Sequence, residues 1–114
     1  PRACRTIQRN LDAAKLGAIA SVICAGLPAA IDRLIGVFDL VLLDPPYEAD
    51  QLPTALAKLA SSAHLSSDAL IVAEHRATTE LPDAIAGLTV WKRRRQGDAA
   101  VTIYRFMPAE AAPM

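Results

Sequence analysis

Aromatic side chains are scarce, at 4% of 114 residues. A core must therefore come from alanine and the aliphatics, which supply most of the 53% apolar content. An excess of one charge is also lacking, since 12 Lys and Arg balance 12 Asp and Glu. That excludes steering of a polyanion by the whole molecule, so any nucleic-acid contact must be a local patch. Two cysteines, Cys4 and Cys24, are too few for a disulfide framework. They read as buried thiols in a reducing compartment, where free cysteine packs as a small hydrophobe. No secretory signal is visible, and the chain opens Pro1-Arg2-Ala3 without an initiator Met, which suggests a fragment. The uncharged run from Leu16 to Ile31 is shorter than the ~20 residues of a spanning helix. It contains Gly17, Ser21, Gly26 and Pro28, which suit a buried strand between turns. A mean hydropathy of +0.26 excludes a disordered tail. A chain of this size is one domain or part of one, and buries roughly two-thirds of its unfolded surface without disulfides.

Ala3, Ile7, Leu11 and Ala14 recur at helical spacing, with Arg2, Arg5, Arg9 and Lys15 mostly elsewhere on the wheel. A helix stopping at Gly17 is expected. Ala20 to Cys24 reads as a short strand, and Leu27, Ile31 and Leu34 as a short helix with Pro28 in its first turn. Gly36 to Leu43 is an aliphatic run suited to a strand covered on both faces. It stops at Asp44-Pro45-Pro46-Tyr47, because neither proline can donate to a ladder. Asp50 is placed as the N-cap of a helix with Pro53 in its first turn and Leu52, Leu56 and Leu59 inside. Ala69 to Ala73 is a buried strand ending at Glu74-His75, and Thr79 to Ala86 is a loop or broken helix. Leu88 to Arg95 and Ala99 to Phe106 form a hairpin around Gln96-Gly97-Asp98, with Trp91 and Phe106 packing within it. The tail after Phe106, residues 107–114, is expected to fray. Alternation of helix and strand argues for an α/β parallel sheet closed by an antiparallel pair. Ligands of such sheets bind beyond the carboxyl ends of the strands, where Asp44 to Tyr47 and Glu74-His75 fall.

Asp-Pro-Pro-Tyr is the strongest local signal. A given tetrapeptide arises by chance in this length roughly once in 1,500 chains at ordinary residue usage, and here it directly follows an aliphatic strand. One reading is a turn in which the prolines only stop the strand. The other is a grip on an exocyclic amino group. Such an amine is a poor nucleophile because its lone pair is delocalised into the ring, and acceptors aimed at its hydrogens favour the attacking geometry. Asp44 offers a carboxylate and Pro45 a carbonyl. Pro45 and Pro46 fix two successive φ angles, so the acceptors are set before substrate arrives. Tyr47 offers a ring face to an unstacked base.

Phe38 to Tyr47 resembles motif IV of amino-directed, S-adenosylmethionine-dependent methyltransferases. Ala69 to His75 and Arg94 to Arg105 narrow the resemblance to the bacterial 16S ribosomal RNA guanine-N2 methyltransferase family, RsmD, over nearly the whole chain to Arg105. The resemblance implies a partial Rossmann-like class I methyltransferase sheet in residues 1–106, mostly parallel, with a C-terminal antiparallel hairpin. It implies methyl transfer from S-adenosylmethionine to a guanine N2 in 16S rRNA of an assembling 30S subunit, in the cytoplasm, with Asp44, Pro45, Pro46 and Tyr47 catalytic. The family's glycine-rich cofactor loop, and the acidic residue that binds the ribose, have no counterpart here. Its first two strands are therefore expected to be missing, leaving the edge of the Val37 to Leu43 strand unpaired. Gly26 stands where the family has an adenine-side Asp, so Gly26 and Leu27 could contact cofactor only through backbone, and the chain alone is expected not to bind it. Gln96 stands where the family often has Tyr. Because the tetrapeptide recognises an amine rather than one base, adenine-N6 methylation of DNA or RNA remains open, as does a noncatalytic RNA-binding remnant.

Lys92-Arg93-Arg94-Arg95 is the one dense basic run. Alternation puts Arg93 and Arg95 on one face and Lys92 and Arg94 on the other. Arg93 and Arg95 are candidates for RNA phosphates, or the run is a solvated strand end. Arg2, Arg5 and Arg9 read as the wet face of a helix. His75 is either an RNA contact at the rim or a polar cap on its strand, and His64 is an exposed loop residue. No nucleophile elbow supports a hydrolase, and Cys4, Cys24, His64 and His75 lack zinc spacing.

Overall fold

The computed structural model describes residues 2–26, 29–44 and 51–107. They fall into two compact units, residues 1–34 and 35–114.

In the first unit, helix α1 (Arg2–Ala13) buries no side chain. It stops earlier than the glycine suggests. Lys15 adopts a left-handed φ of 62°. The Lys15 amide donates to the Asp12 carbonyl at 3.1 Å and the Leu16 amide to the Leu11 carbonyl at 2.8 Å. These two bonds make a Schellman cap with lysine in the place usually given to glycine. Gly17 serves a close approach instead: a Cβ there would lie 2.6 Å from Asp12 Oδ1. The strand expected at Ala20 to Cys24 does not form, because no ladder among the described residues includes it. This segment is held by other means. Cys4 and Cys24 are joined in a disulfide with Cα atoms 6.0 Å apart, which corrects the reading of two free thiols; a pair spaced by 20 residues carries no signal for it in sequence. Arg33 Nη1 also donates to the Cys24 carbonyl at 3.4 Å. A 3₁₀ turn (Ala29–Arg33) follows and buries Ile31, while Leu27 and Pro28 lie outside the described residues.

Among the described residues, the second unit is a five-stranded sheet with one helix. Its elements are β1 (Phe38–Leu43), α2 (Gln51–Ser61), β2 (Leu65–Arg76), β3 (Ala84–Ile85), β4 (Leu88–Gln96) and β5 (Ala99–Phe106). The sheet order is β1-β2-β5-β4-β3. Only β1–β2 is parallel; β2–β5, β5–β4 and β4–β3 are antiparallel. The expectation of a mostly parallel sheet is thus corrected for the described residues: residues 20–24 add no strand, and the supposed loop before Leu88 contributes antiparallel β3. Ala86 and Gly87, with φ of 51° and 93°, turn β3 into β4. A Cβ on Gly87 would stand 3.1 Å from the Met107 carbonyl oxygen.

Period-two burial sets the core. Ala69, Ile71 and Ala73 of β2 and Thr102, Tyr104 and Phe106 of β5 are buried, and Ile71 lies opposite Tyr104 and Ala73 opposite Thr102. Helix α2 buries Leu52, Ala55, Leu56, Leu59 and Ala60, the i, i+3, i+4, i+7, i+8 stripe of a one-sided helix. Asp50, read as its N-cap, lies outside the described residues. Strand β1 ends the sheet order with Leu40 57% and Leu42 72% exposed, so its outer edge is open among the described residues. His64 is not a free loop residue: it is half-buried, and its Nδ1 lies 2.7 Å from the Gly36 carbonyl.

Candidate functional site

Parallel pairing brings the ends of β1 and β2 to one rim. Leu43 is opposite Ala73 in the last pair of that ladder, so Asp44 and Glu74 are the next residues out. Across β2, His75 faces Ala100 and Glu74 faces Val101. Across β5, Arg95 faces Ala100 and Arg94 faces Val101. The rim therefore gathers Asp44, Glu74, His75, Arg94 and Arg95 from three strands, β1, β2 and β4, with β5 between the last two. Asp44 is exposed; Pro45, Pro46 and Tyr47 lie outside the described residues.

Two open cavities flank the hairpin tip. The first, about 460 Å³, is lined by His75, Glu80, Arg93, Arg95 and Thr102 among others. The three residues singled out as RNA contacts, His75, Arg93 and Arg95, are thus brought together. They are not equally free. Arg93 donates through Nη1 to Asp83 Oδ1 at 2.6 Å and through Nη2 to the Leu81 carbonyl at 2.6 Å. His75 lies 2.8 Å from Thr102 Oγ1 through Nε2 and 2.9 Å from the Arg76 carbonyl through Nδ1. Arg95 donates to the Gly97 carbonyl of the turn at 3.3 Å. Beneath them Tyr104 donates its hydroxyl to the Pro82 carbonyl at 2.6 Å. Burial pushes the Tyr104 phenol above its usual range, against the opposing pull of Arg93. Sequence reading missed this cluster. Thr102, at 1% exposure, and Tyr104 do alternate with aliphatics in β5, but nothing in the sequence ties Asp83 to Arg93 ten residues on.

The second cavity, about 580 Å³, lies along Glu74, Lys92, Arg94, Gln96, Val101 and Ile103. Trp91 is not a packing residue, being 51% exposed, whereas Phe106 is buried as expected. The cause is a bulge between Val90 and Lys92 that leaves Trp91 without a ladder partner.

Of the two residues read as cofactor contacts, Gly26 is exposed, with open space where a Cβ would stand, and Leu27 lies outside the described residues. Among the described residues there is no cluster of three or more His, Cys, Asp or Glu that could hold a metal, and no helix long and apolar enough to cross a membrane.

Comparison with known proteins places this geometry. The model of the family described as "Conserved hypothetical protein 95" matches residues 1–105. The chain is 32% identical over 108 residues to the Bacillus subtilis protein named "Putative rRNA methyltransferase YlbH", covering 91% of this chain and 58% of that one. A solved Streptococcus pyogenes structure, titled only as a conserved hypothetical protein, superposes with a TM-score of 0.81 at 35% identity, over 92% of this chain and 66% of that one. The fold is shared as well with the structure titled "Putative methyltransferase yhhF from Escherichia coli", at TM-score 0.78 and 24% identity, over 94% of this chain and 60% of that one. The chain thus spans under two-thirds of the length of each of these relatives. By the family match, with the strand-to-rim arrangement that accompanies it, this chain belongs to the RsmD-like family described as Conserved hypothetical protein 95.

Proposed function

We propose that this chain carries the acceptor side of a methyltransferase that transfers a methyl group from S-adenosylmethionine to the exocyclic N2 of a guanine in 16S rRNA of the small ribosomal subunit. The observation that carries the reading is the ending of β1 at the exposed Asp44, on the rim shared with Glu74 and the basic hairpin tip, immediately before Pro45-Pro46-Tyr47. The name of the Bacillus relative supports an rRNA substrate.

The chain's own part concerns the amine. The Asp44 carboxylate and the Pro45 carbonyl accept its two N–H groups and hold the nitrogen lone pair towards the donor. Pro46 stiffens the backbone behind them, and Tyr47 stacks on the extruded base. His75, Arg93 and Arg95 line a cavity suited to backbone phosphates. Assaying the full-length protein for methyl transfer to 30S particles and to duplex DNA tests the reading. Label on the guanine N2 of 16S rRNA is expected; label on duplex DNA alone overturns it.

A further inference from the structure

We infer that Trp91 and Lys92, on the sheet face away from α2, form a stacking platform for an unpaired base of single-stranded RNA, with Arg94 holding the adjoining phosphate. The inference rests on the RNA reading above and adds a second contact surface to it.

The bulge creates the platform. In a regular strand Trp91 and Lys92 would point to opposite faces. Here Val90 pairs with Tyr104 and Lys92 with the very next residue of β5, Ile103, so Trp91 is extra and both side chains reach the same side. Lys92 Nζ stands 4.6 Å from the centroid of the indole ring. That contact covers one face of the ring, in line with an exposure of 51%, and favours this orientation by about 0.5–1 kcal/mol. A ring held beforehand loses less freedom when a ligand stacks on it.

Charge and shape select the ligand. Arg94 faces Val101, and Lys92 faces Ile103; Arg94 has no ion pair or hydrogen bond among the described residues, in contrast to Arg93, which is held by Asp83 and Leu81. The adjoining cavity of about 580 Å³ is lined by Lys92, Arg94 and Arg95 against a single acid, Glu74. A flat aromatic surface beside two cations, Lys92 on the ring and Arg94 without a protein partner among the described residues, suits a polyanion with planar groups free to stack. Duplexes hide their base faces, so the fitting partner is single-stranded.

Trp91 is the only tryptophan of the chain, which makes it a direct reporter. An unstructured RNA oligonucleotide, a duplex of the same sequence and inorganic polyphosphate are titrated separately into the full-length protein, and tryptophan emission is compared with that of Trp91→Phe. Single-stranded RNA is expected to quench the Trp91 component. Trp91→Ala is expected to weaken its binding roughly five- to hundred-fold, on the scale of one lost base stack, while Trp91→Phe retains most of the affinity. Lys92→Ala and Arg94→Ala should each lower the salt slope by about 0.7. Equal affinity for polyphosphate with no effect of Trp91→Ala overturns the platform, as does RNA binding that leaves Trp91 emission unchanged. The two readings fail separately. Methylated 30S particles with a silent Trp91 sink only the platform, and a quenched Trp91 without methyl transfer sinks only the enzymatic reading.

Discussion

The Arg93 guanidinium bridges the Asp83 carboxylate and the Leu81 carbonyl, each at 2.6 Å. One side chain of β4 thereby ties down the loop that leads into β3 and roofs the phenol of Tyr104. Its ion pair is half open to solvent, with Arg93 43% and Asp83 89% exposed, so the charge attraction by itself contributes little. The bond to the backbone carbonyl matters more. Arg93→Ala should cost about 1 kcal/mol or somewhat more, and Asp83→Ala only about 0.5 kcal/mol. Urea unfolding of the two variants checks the ranking; a larger loss for Asp83→Ala would reverse it. The same engagement means that an RNA-binding defect of Arg93→Ala must be read beside its stability.

Asp44→Ala in the full-length protein should lower methyl-transfer turnover by ~100-fold or more, as when one preorganised polar group is removed. Affinity for S-adenosylmethionine should change little. Single-turnover assays and donor titration separate the two, and unchanged turnover removes Asp44 from the mechanism.

The 114-residue chain alone should show no micromolar binding of S-adenosylmethionine, because the glycine-rich loop and the ribose-binding acid of the family have no counterpart in its sequence. Calorimetric titration measures this directly, and a micromolar heat signal would refute it.

Tyr104 gives a pH prediction. Burial raises its folded-state pKa above that of the unfolded chain. Below about pH 10 both states hold the proton and the contribution is complete. As pH rises through the unfolded value towards the higher folded one, the unfolded state loses its proton first and stability falls. Tyr104→Phe should lose about 1 kcal/mol at neutral pH with its bond to the Pro82 carbonyl, yet decline less steeply in alkali. Thermal melts between pH 8 and 11 compare the two slopes.

Much of the second unit was legible from residue order. The aliphatic run of β1, the stripe of α2 and the Gly97-Asp98 hairpin all carry their signal within a few neighbouring residues. The misreadings share another cause. Whether Ala20 to Cys24 becomes a strand depends on a neighbour elsewhere in the chain, and whether Cys4 meets Cys24 depends on how that segment returns to α1. The bulge at Trp91 is a mismatch between two strands, invisible in either one. At the rim, alternation correctly separated Arg93 and Arg95 from Lys92 and Arg94. It could not show that Asp83 and Leu81 already occupy Arg93, and Pro45 to Tyr47 remain outside the described residues.

The sheet order has a kinetic corollary. Among the described strands β5 is the last to be synthesised, yet it sits between β2 and β4. While a ribosome is still translating residues 99–106, the earlier β strands can form only separate pairs, β1 with β2 and β3 with β4. Assembly of this unit therefore waits for its final strand, and a chain stalled before Ala99 would expose two unjoined ribbons to proteases and to other nascent chains.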